Sequence, residues 1–532
     1  MSLKKLVVMS AGKRSCPDMI CYLHLDPACA LRRGGAARLG NANTHASSMR
    51  LASSMLLSRS ALLMRATRTL VMTAAATPPT TRLPGDLLVR EHTLKVPLEH
   101  DKAGGGDLEI FVRELVPASK ANDDTLPCLL YLQGGPGFPS GRPTSPPSGW
   151  QKSALAVPYR VLLLDQRGTG RSTPITAQSL TAMEGGPSAQ AAYLACFRAD
   201  SIVQDCELVR EKLANGAKKL TVLGQSFGGF CILSYLSRFP ESLERALFTF
   251  GLAPVGKSPD EVYRATYNRM AERNRRFYER YPVDVELVRN LVRELHAQPA
   301  ELPRGGTLTA RRFLMLGLLL GGASGMTELH DLLELSITRV ARADGTSALP
   351  DAFLLAVEAA QEHFETNPIY WLLHESIYCD GPVYGASRWA AERVQAEMGE
   401  EWDYTTRLDE GNEPVLLTGE MIYSWMGDDF AWLRPLKPCA ELLAAKEDWG
   451  PLYDTDRMRS EECPPVAALV SYEDVYVERA FSEDTARLLG SHGGHAKLWI
   501  TNEFQHSGLR DQPATVFDRL LKMSKGDDIV PS

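Results

Sequence analysis

The chain has 532 residues, of which 44% are hydrophobic and 23% charged, a length beyond one ordinary domain and a composition that excludes a disordered or fibrous protein. Its net charge of −7 hides an asymmetry: residues 1 to 82 hold twelve Lys/Arg against two Asp, so the remainder carries −17. An acidic body argues against nucleic-acid binding, and its longest apolar run, Phe313 to Leu320, is too short to span a bilayer.

The first 82 residues read as a basic extension, either disordered or targeting. Arg50, Arg59, Arg65 and Arg68 are interleaved with Leu, Met and Ala and lack the continuous apolar core of a secretory signal. That pattern resembles an organellar transit peptide, so a mitochondrion or plastid is the expected destination, with the cytoplasm as the alternative. The ten cysteines stand singly, without a C-x-x-C pair or a His cluster at zinc spacing. This points to a reducing compartment, with no structural metal.

Strands are expected from Leu87 onward. Leu108 to Arg113 alternates apolar and polar residues, as a half-exposed edge strand should. Short continuous apolar runs follow at Cys128–Leu132, Val161–Leu164, Leu220–Leu223 and Ala246–Phe250. Such runs, bounded by Gly and Pro and separated by helical segments, predict a mostly parallel sheet with helices on both faces. After residue 255 helical periodicity takes over, as in Glu261–Tyr278 and Asp351–Phe364, and Phe313–Leu320 is expected to be a buried helix. Strand patterns return at Val466–Val470 and Ala496–Ile500, before a last helix over 513–524. The expected organisation is therefore an α/β core over 83–255 and 456–532, with a helical cap over 256–455 inserted between its two parts.

Within that frame, Gly224-Gln225-Ser226-Phe227-Gly228-Gly229 joins the run 220–223 to the helical stretch Phe230–Leu236. Strand, glycine-flanked serine and helix together make the nucleophile elbow of an α/β-hydrolase. A serine forced into so tight a turn needs neighbours without Cβ atoms. The serine needs a base and the base an orienting acid, and in this fold they follow in the order acid, then His. Of eleven histidines only His492, His495 and His506 come after the first returning strand. His506, between the last strand and the final helix, is the expected base; His492 and His495 precede that strand and read as solvated loop residues. Glu473 and Asp474 follow strand 466–470 and are both candidates for the acid. Neighbouring residues point in opposite directions there, so their pattern does not separate them. Asp484 reads as a surface charge. The oxyanion donors are expected to be the amides of Phe227 and of Gly135, the latter in Gln133-Gly134-Gly135-Pro136-Gly137.

With Asp165-Gln166-Arg167-Gly168-Thr169-Gly170-Arg171-Ser172 added, the three motifs resemble the proline iminopeptidases of serine peptidase family S33, most closely their larger-subunit branch, over residues 85 to 525. Gln133 is a departure, because many relatives have His there. The resemblance implies Ser226 as nucleophile, His506 as base and Asp474, rather than Glu473, as acid. It also implies that cap glutamates hold the substrate's free amine, at the positions of Glu375 and Glu420. The implied reaction releases an N-terminal residue, preferentially proline, from peptides with a free N-terminus, without cofactor or metal and without nucleic-acid or membrane partners. Phe227, Tyr423 and Trp425 are candidates for an aromatic slot around the proline ring. Arg167 and Arg171 are expected to brace the loops rather than touch substrate. The rival readings are an esterase-type hydrolase and a non-catalytic binding protein on the same fold.

Overall fold

The computed structural model describes residues 78–528, apart from 103, 215–217, 410 and 491–495. The reading of residues 1–82 as a targeting extension, and that of His492 and His495 as loop residues, therefore fall outside the described residues, save for 78–82. A nine-stranded sheet runs β1 (Thr80–Leu83), β2 (Leu87–Pro97), β3 (Asp107–Pro117), β4 (Cys128–Leu132), β5 (Arg160–Asp165), β6 (Leu220–Gln225), β7 (Leu243–Thr249), β8 (Val466–Ser471) and β9 (Ala496–Thr501). Their spatial order is β1-β2-β3-β5-β4-β6-β7-β8-β9. Pairing is antiparallel through β1, β2, β3 and β5, and parallel from β5 to β9. The swap of β4 and β5 follows from chirality, since each parallel crossover must be right-handed and carry its helix over a face.

The expected strands are present, with one difference of place. β3 lies inside the sheet, covered by β1 and β2, and is buried from Ile110 to Val116. Its alternation over 108–113 suggested an edge because Glu109 and Arg113 are spaced among apolar residues; Glu109 is exposed, but Arg113 is buried. The next residue, Glu114, is buried too and accepts hydrogen bonds from Arg90 Nη1 and Arg160 Nε, each at 2.9 Å. A paired charge can sit in an interior that an unpaired one could not.

Helices Gly149–Ala156 and Pro513–Lys525 pack on one face of the sheet, and Ala199–Leu213 and Phe227–Arg238 pack together on the other. Between β7 and β8 the chain leaves the sheet and forms helices, the longest being Pro259–Arg280 and Asp351–Thr366, with two short two-stranded ribbons. The run Phe313–Leu320 is buried except for the half-buried Leu318 and Leu319, yet it is not one helix: an α-helix over Ala310–Leu314 tightens into a 3₁₀ segment over Met315–Gly321. A Cβ on Gly317 would lie 2.1 Å from the Thr418 carbonyl oxygen, so the segment follows the close approach of a neighbouring backbone. Among the described residues no helix is long and apolar enough to cross a membrane, and no disulfide joins two cysteines.

Arg167 is completely buried. Its guanidinium forms a two-pronged pair with Asp205 at 2.7 Å, and donates to the carbonyls of Pro97, Leu98 and Cys196. His100 Nε2 meets the same carboxylate at 2.9 Å. Asp205→Ala would leave that cation unpaired in the interior. It should lower stability by about 3–5 kcal/mol, read as a lower urea midpoint at unchanged slope.

Candidate active site

Ser226 sits between the end of β6 and the first turn of helix 227–238 with φ 52° and ψ −123°. A non-glycine residue there carries strain of order 1–3 kcal/mol. Ser226 N–H donates to the Thr249 carbonyl at 2.9 Å, and its own carbonyl accepts from Gly229 N–H at 2.7 Å. The flanking glycines permit the turn by their lack of volume rather than by unusual φ. A Cβ would lie 2.6 Å from the Gly228 carbonyl carbon at Gly224, 2.0 Å from the Leu132 oxygen at Gly228, and 2.4 Å from the Gly251 oxygen at Gly229.

His506 and Asp474, distant in sequence, meet beside this turn. His506 Nδ1 lies 2.8 Å from Asp474 Oδ2. The other carboxylate oxygen, Oδ1, accepts the N–H groups of Tyr476 at 2.8 Å and Val477 at 3.1 Å. Nε2 of His506 has no hydrogen-bond partner among the described residues. The imidazole is packed between the rings of Phe250 and Tyr476. Burial alone would depress its pKa, but the Asp474 carboxylate, with help from Glu420, outweighs burial and raises it. Glu473 turns the other way, onto Arg276 of helix 259–280, at 2.6 Å. The backbone thus separates the two adjacent carboxylates that the sequence pattern left open. Asp484 pairs with Arg487 on the surface.

Gly134 and Gly135 lie against the turn, and a Cβ on Gly134 would come within 3.0 Å of the Ser226 Cβ. Gly135 has φ +129°, and a side chain there would also meet the Phe138 ring at 2.7 Å. Phe227 begins a helix, so its amide is one of four without an intrahelical acceptor. The 165–172 loop holds this arrangement from behind. Gln166 Nε2 donates to the Gln133 carbonyl at 2.9 Å. Asp165 accepts from the amides of Ser140 at 3.1 Å and Arg171 at 3.0 Å. Arg171 reaches Glu91 and covers the Phe111 ring, so both arginines brace, as expected from the sequence.

Ser226, Gly134, Gly135 and His506 open into one cavity of about 460 Å³, whose far wall includes Tyr370, Glu420 and Tyr476. Tyr370 donates its hydroxyl to Glu420 Oε1 at 2.7 Å. Burial pushes the Glu420 carboxyl up to about 7, against the opposing pull of His506 and of the Tyr370 hydrogen bond. Glu375 is not on that wall. It is buried, and its Oε1 accepts the N–H of Ala391 at 3.0 Å, in the first turn of helix 390–397. Burial raises its carboxyl to about 7 as well. Both glutamates act electrostatically on the buried hydroxyls of Tyr263 and Tyr378.

Sequence reasoning missed several of the residues that shape the cavity. Phe227 is packed into the interior beside Phe230, while Tyr423 and Trp425 line a separate cavity of about 580 Å³. The aromatic walls facing Ser226 are Tyr131, Phe138, Trp150, Tyr370 and Tyr476. Phe138 and Tyr476 stand within three residues of Gly135 and Asp474, a proximity that could have marked them. Gln225 is also engaged: its Nε2 donates to the His506 carbonyl at 3.3 Å, and its Oε1 accepts from Thr249 at 2.6 Å.

Comparison with known proteins agrees with this architecture. The family model for the α/β hydrolase fold matches residues 127–288. The chain is 45% identical to the proline iminopeptidase of Aeromonas sobria over 82% of its own length and 96% of that relative. It is 35% identical to the proline iminopeptidase aneH of Aspergillus aculeatus, over 83% of its own length and 95% of that relative. A solved proline iminopeptidase from Mycobacterium smegmatis is similar at 17% identity and TM-score 0.36, over 82% of this chain and 100% of that one. The fold, the family model and the Aeromonas and Aspergillus relatives define an α/β-hydrolase. More narrowly, the chain belongs to the proline iminopeptidases, serine aminopeptidases built on that fold.

The glycine contacts at the turn are testable apart from activity. Gly228→Ala should destabilise the protein by at least about 2 kcal/mol through overpacking against the Leu132 carbonyl. Gly141→Ala, where a Cβ would meet nothing within 4 Å, should change stability by under about 0.5 kcal/mol. Equal urea midpoints for the two variants would contradict the packing account.

Proposed function

We propose that the chain removes the N-terminal residue, preferentially proline, from peptides with a free N-terminus, using Ser226 as nucleophile, His506 as base and Asp474 as its orienting acid. The observation that carries this reading is the Asp474–His506 hydrogen bond at 2.8 Å beside the Ser226 turn, with a carboxylate, Glu420, on the wall of the same cavity. Asp474 fixes the proton on Nδ1 of the imidazole, which leaves Nε2 as the basic nitrogen. His506 takes the Ser226 hydroxyl proton as Oγ attacks the carbonyl carbon of the first residue. The Gly135 and Phe227 amides receive the developing oxyanion, each worth roughly 10²–10³ in rate. His506 then protonates the departing amine, and water, activated by the same nitrogen, releases the acyl group.

Glu420 holds the substrate's primary or secondary ammonium group. Glu375, turned toward helix 390–397, supports it as a second negative charge behind the wall. The same wall favours peptides over simple acyl esters, which carry no cation to pair with Glu420.

Ser226→Ala should lower release of proline from a Pro-arylamide by about 10⁶-fold while leaving the unfolding curve in place; retained turnover in pure variant would overturn the assignment. Glu420→Gln should reduce kcat/KM for the same substrate by at least about 30-fold, and Glu375→Gln by less.

The pH dependence follows from the two titrating groups. Turnover needs Glu420 ionised, which happens above about 7, and His506 neutral, which happens above a pKa raised from its ordinary value. The ratio kcat/KM should therefore climb with pH through neutrality. Glu420 is among the charges that raise His506. Its replacement by Gln should move the acid limb to lower pH, and an unmoved limb would separate Glu420 from the base.

A further inference from the structure

Besides Glu420 and the His506 dyad, the cavity wall holds one more charge, Arg510. It sits in the short helix Gly508–Asp511, four residues past His506, and is exposed. Most arginines of the structure are engaged: Arg167, Arg276 and Arg311, for instance, each grip a carboxylate. Arg510 is different. Among the described residues no carboxylate lies within ion-pair distance of its guanidinium and no ring lies beneath it, and Asp511 beside it is taken up by Ser507. Its Nη2 lies 4.0 Å from where a Cβ on Gly322 would stand, in the loop that continues from the wall residue Leu318. It is close enough to His506 and Tyr476 to act on their protons electrostatically. The other histidine on the wall, His363, is held neutral by burial, its pKa pushed down to about 4.

The cavity that holds Ser226 thus offers a buried carboxylate, Glu420, and an exposed guanidinium, Arg510, that no carboxylate among the described residues pairs with. Resting on the aminopeptidase reading, we propose that Arg510 receives the C-terminal carboxylate of a short peptide, so that the preferred substrates are dipeptides with a free α-carboxylate. In a dipeptide the reacting carbonyl lies between the ammonium and carboxylate groups, and a cavity of about 460 Å³ is of the size that encloses a small ligand. Guanidinium matches carboxylate in a two-pronged geometry that an amide cannot reproduce. The carboxylate belongs to the leaving residue, so it departs with the first product and is not carried into the acyl-enzyme.

The test compares kcat/KM for Pro-Ala, Pro-Ala-amide and Pro-Glu-amide in the full chain and in Arg510→Gln, Arg510→Lys and Arg510→Glu. The wild type should favour Pro-Ala over Pro-Ala-amide by about tenfold, the worth of one charge-assisted hydrogen bond. Arg510→Gln should bring that ratio near one, Arg510→Lys should keep part of it, and Arg510→Glu should invert it. An unfolded or merely loosened variant would lose both substrates together and leave the ratio in place. Equal efficiency on acid and amide in the wild type, or a ratio indifferent to residue 510, overturns the proposal. Preference for Pro-Glu-amide over Pro-Ala overturns it in favour of a side-chain carboxylate. Absence of hydrolysis of all three substrates overturns the aminopeptidase reading, and this inference with it.

Discussion

The architecture depends on one backbone constraint, the strained conformation of Ser226. A serine at φ 52° does not hold itself; it persists because surrounding structure over-determines it. Here that structure is a set of backbone contacts too close for any side chain. Gly224 meets Gly228, Gly228 meets the carbonyl of Leu132 on β4, and Gly229 meets Gly251 beyond β7. The turn is therefore clamped between the strands on either side of β6, and its geometry is inherited from the sheet. Helix 227–238 starts from that clamp, so the sheet places its first turn as well.

Two further layers transmit this constraint outward. Gln225 ties the turn to the His506 backbone, so the strand that carries the serine also restrains the loop that carries the imidazole. The 165–172 loop ties the Gln133 carbonyl to a buried Arg167–Asp205 pair. A buried ion pair contributes little net stability compared with apolar packing. Its value lies in geometry: the fork of Arg167 gathers three carbonyls and a carboxylate that no apolar side chain could hold in register. The conservative-looking exchange of Arg167 for Lys would lose that register, because an ammonium is a point donor.

Much of this was legible in the sequence where a signal is local. Periodicity located the seven strands from β3 to β9 and the longest helices, because buried parallel strands are short apolar runs and helices repeat over several turns. The elbow, the Gly-Gly-Pro-Gly loop and His506 were readable because each combines an unusual residue pattern with a fixed place after a strand. The edge assignment of β3 went astray since alternation over 108–113 cannot distinguish an exposed Arg113 from one that lies buried in a strand with neighbours on both sides. The pocket aromatics were not legible for a deeper reason. Tyr370 and Trp150 reach the cavity only through the fold, whereas Tyr423 and Trp425, close in sequence to Glu420, are carried to another cavity. Glu375 shows the same limit. It is a buried acid in the expected segment, yet its carboxylate faces a helix start, and no sequence spacing reports which way a buried side chain turns.

On the proposed reading, the cap wall also bears on selectivity for proline without a tight ring slot. A primary ammonium brings three N–H donors and the secondary ammonium of an N-terminal proline two, and each donor desolvated without a partner has a cost. Glu420 is not a free acceptor, since Oε1 already receives the Tyr370 hydroxyl. His374, nearby in the cap and packed on Tyr370, is buried and neutral, its pKa pushed down to about 3, so it adds no cation to compete with the substrate's amine. A wall with few open acceptors suits the amine with fewer hydrogens, and penalises the others by what it leaves unsatisfied. Selectivity of this kind arises from scarcity of partners rather than from shape, and it makes the Tyr370 hydroxyl, which occupies one oxygen of Glu420, a determinant of which N-termini are accepted.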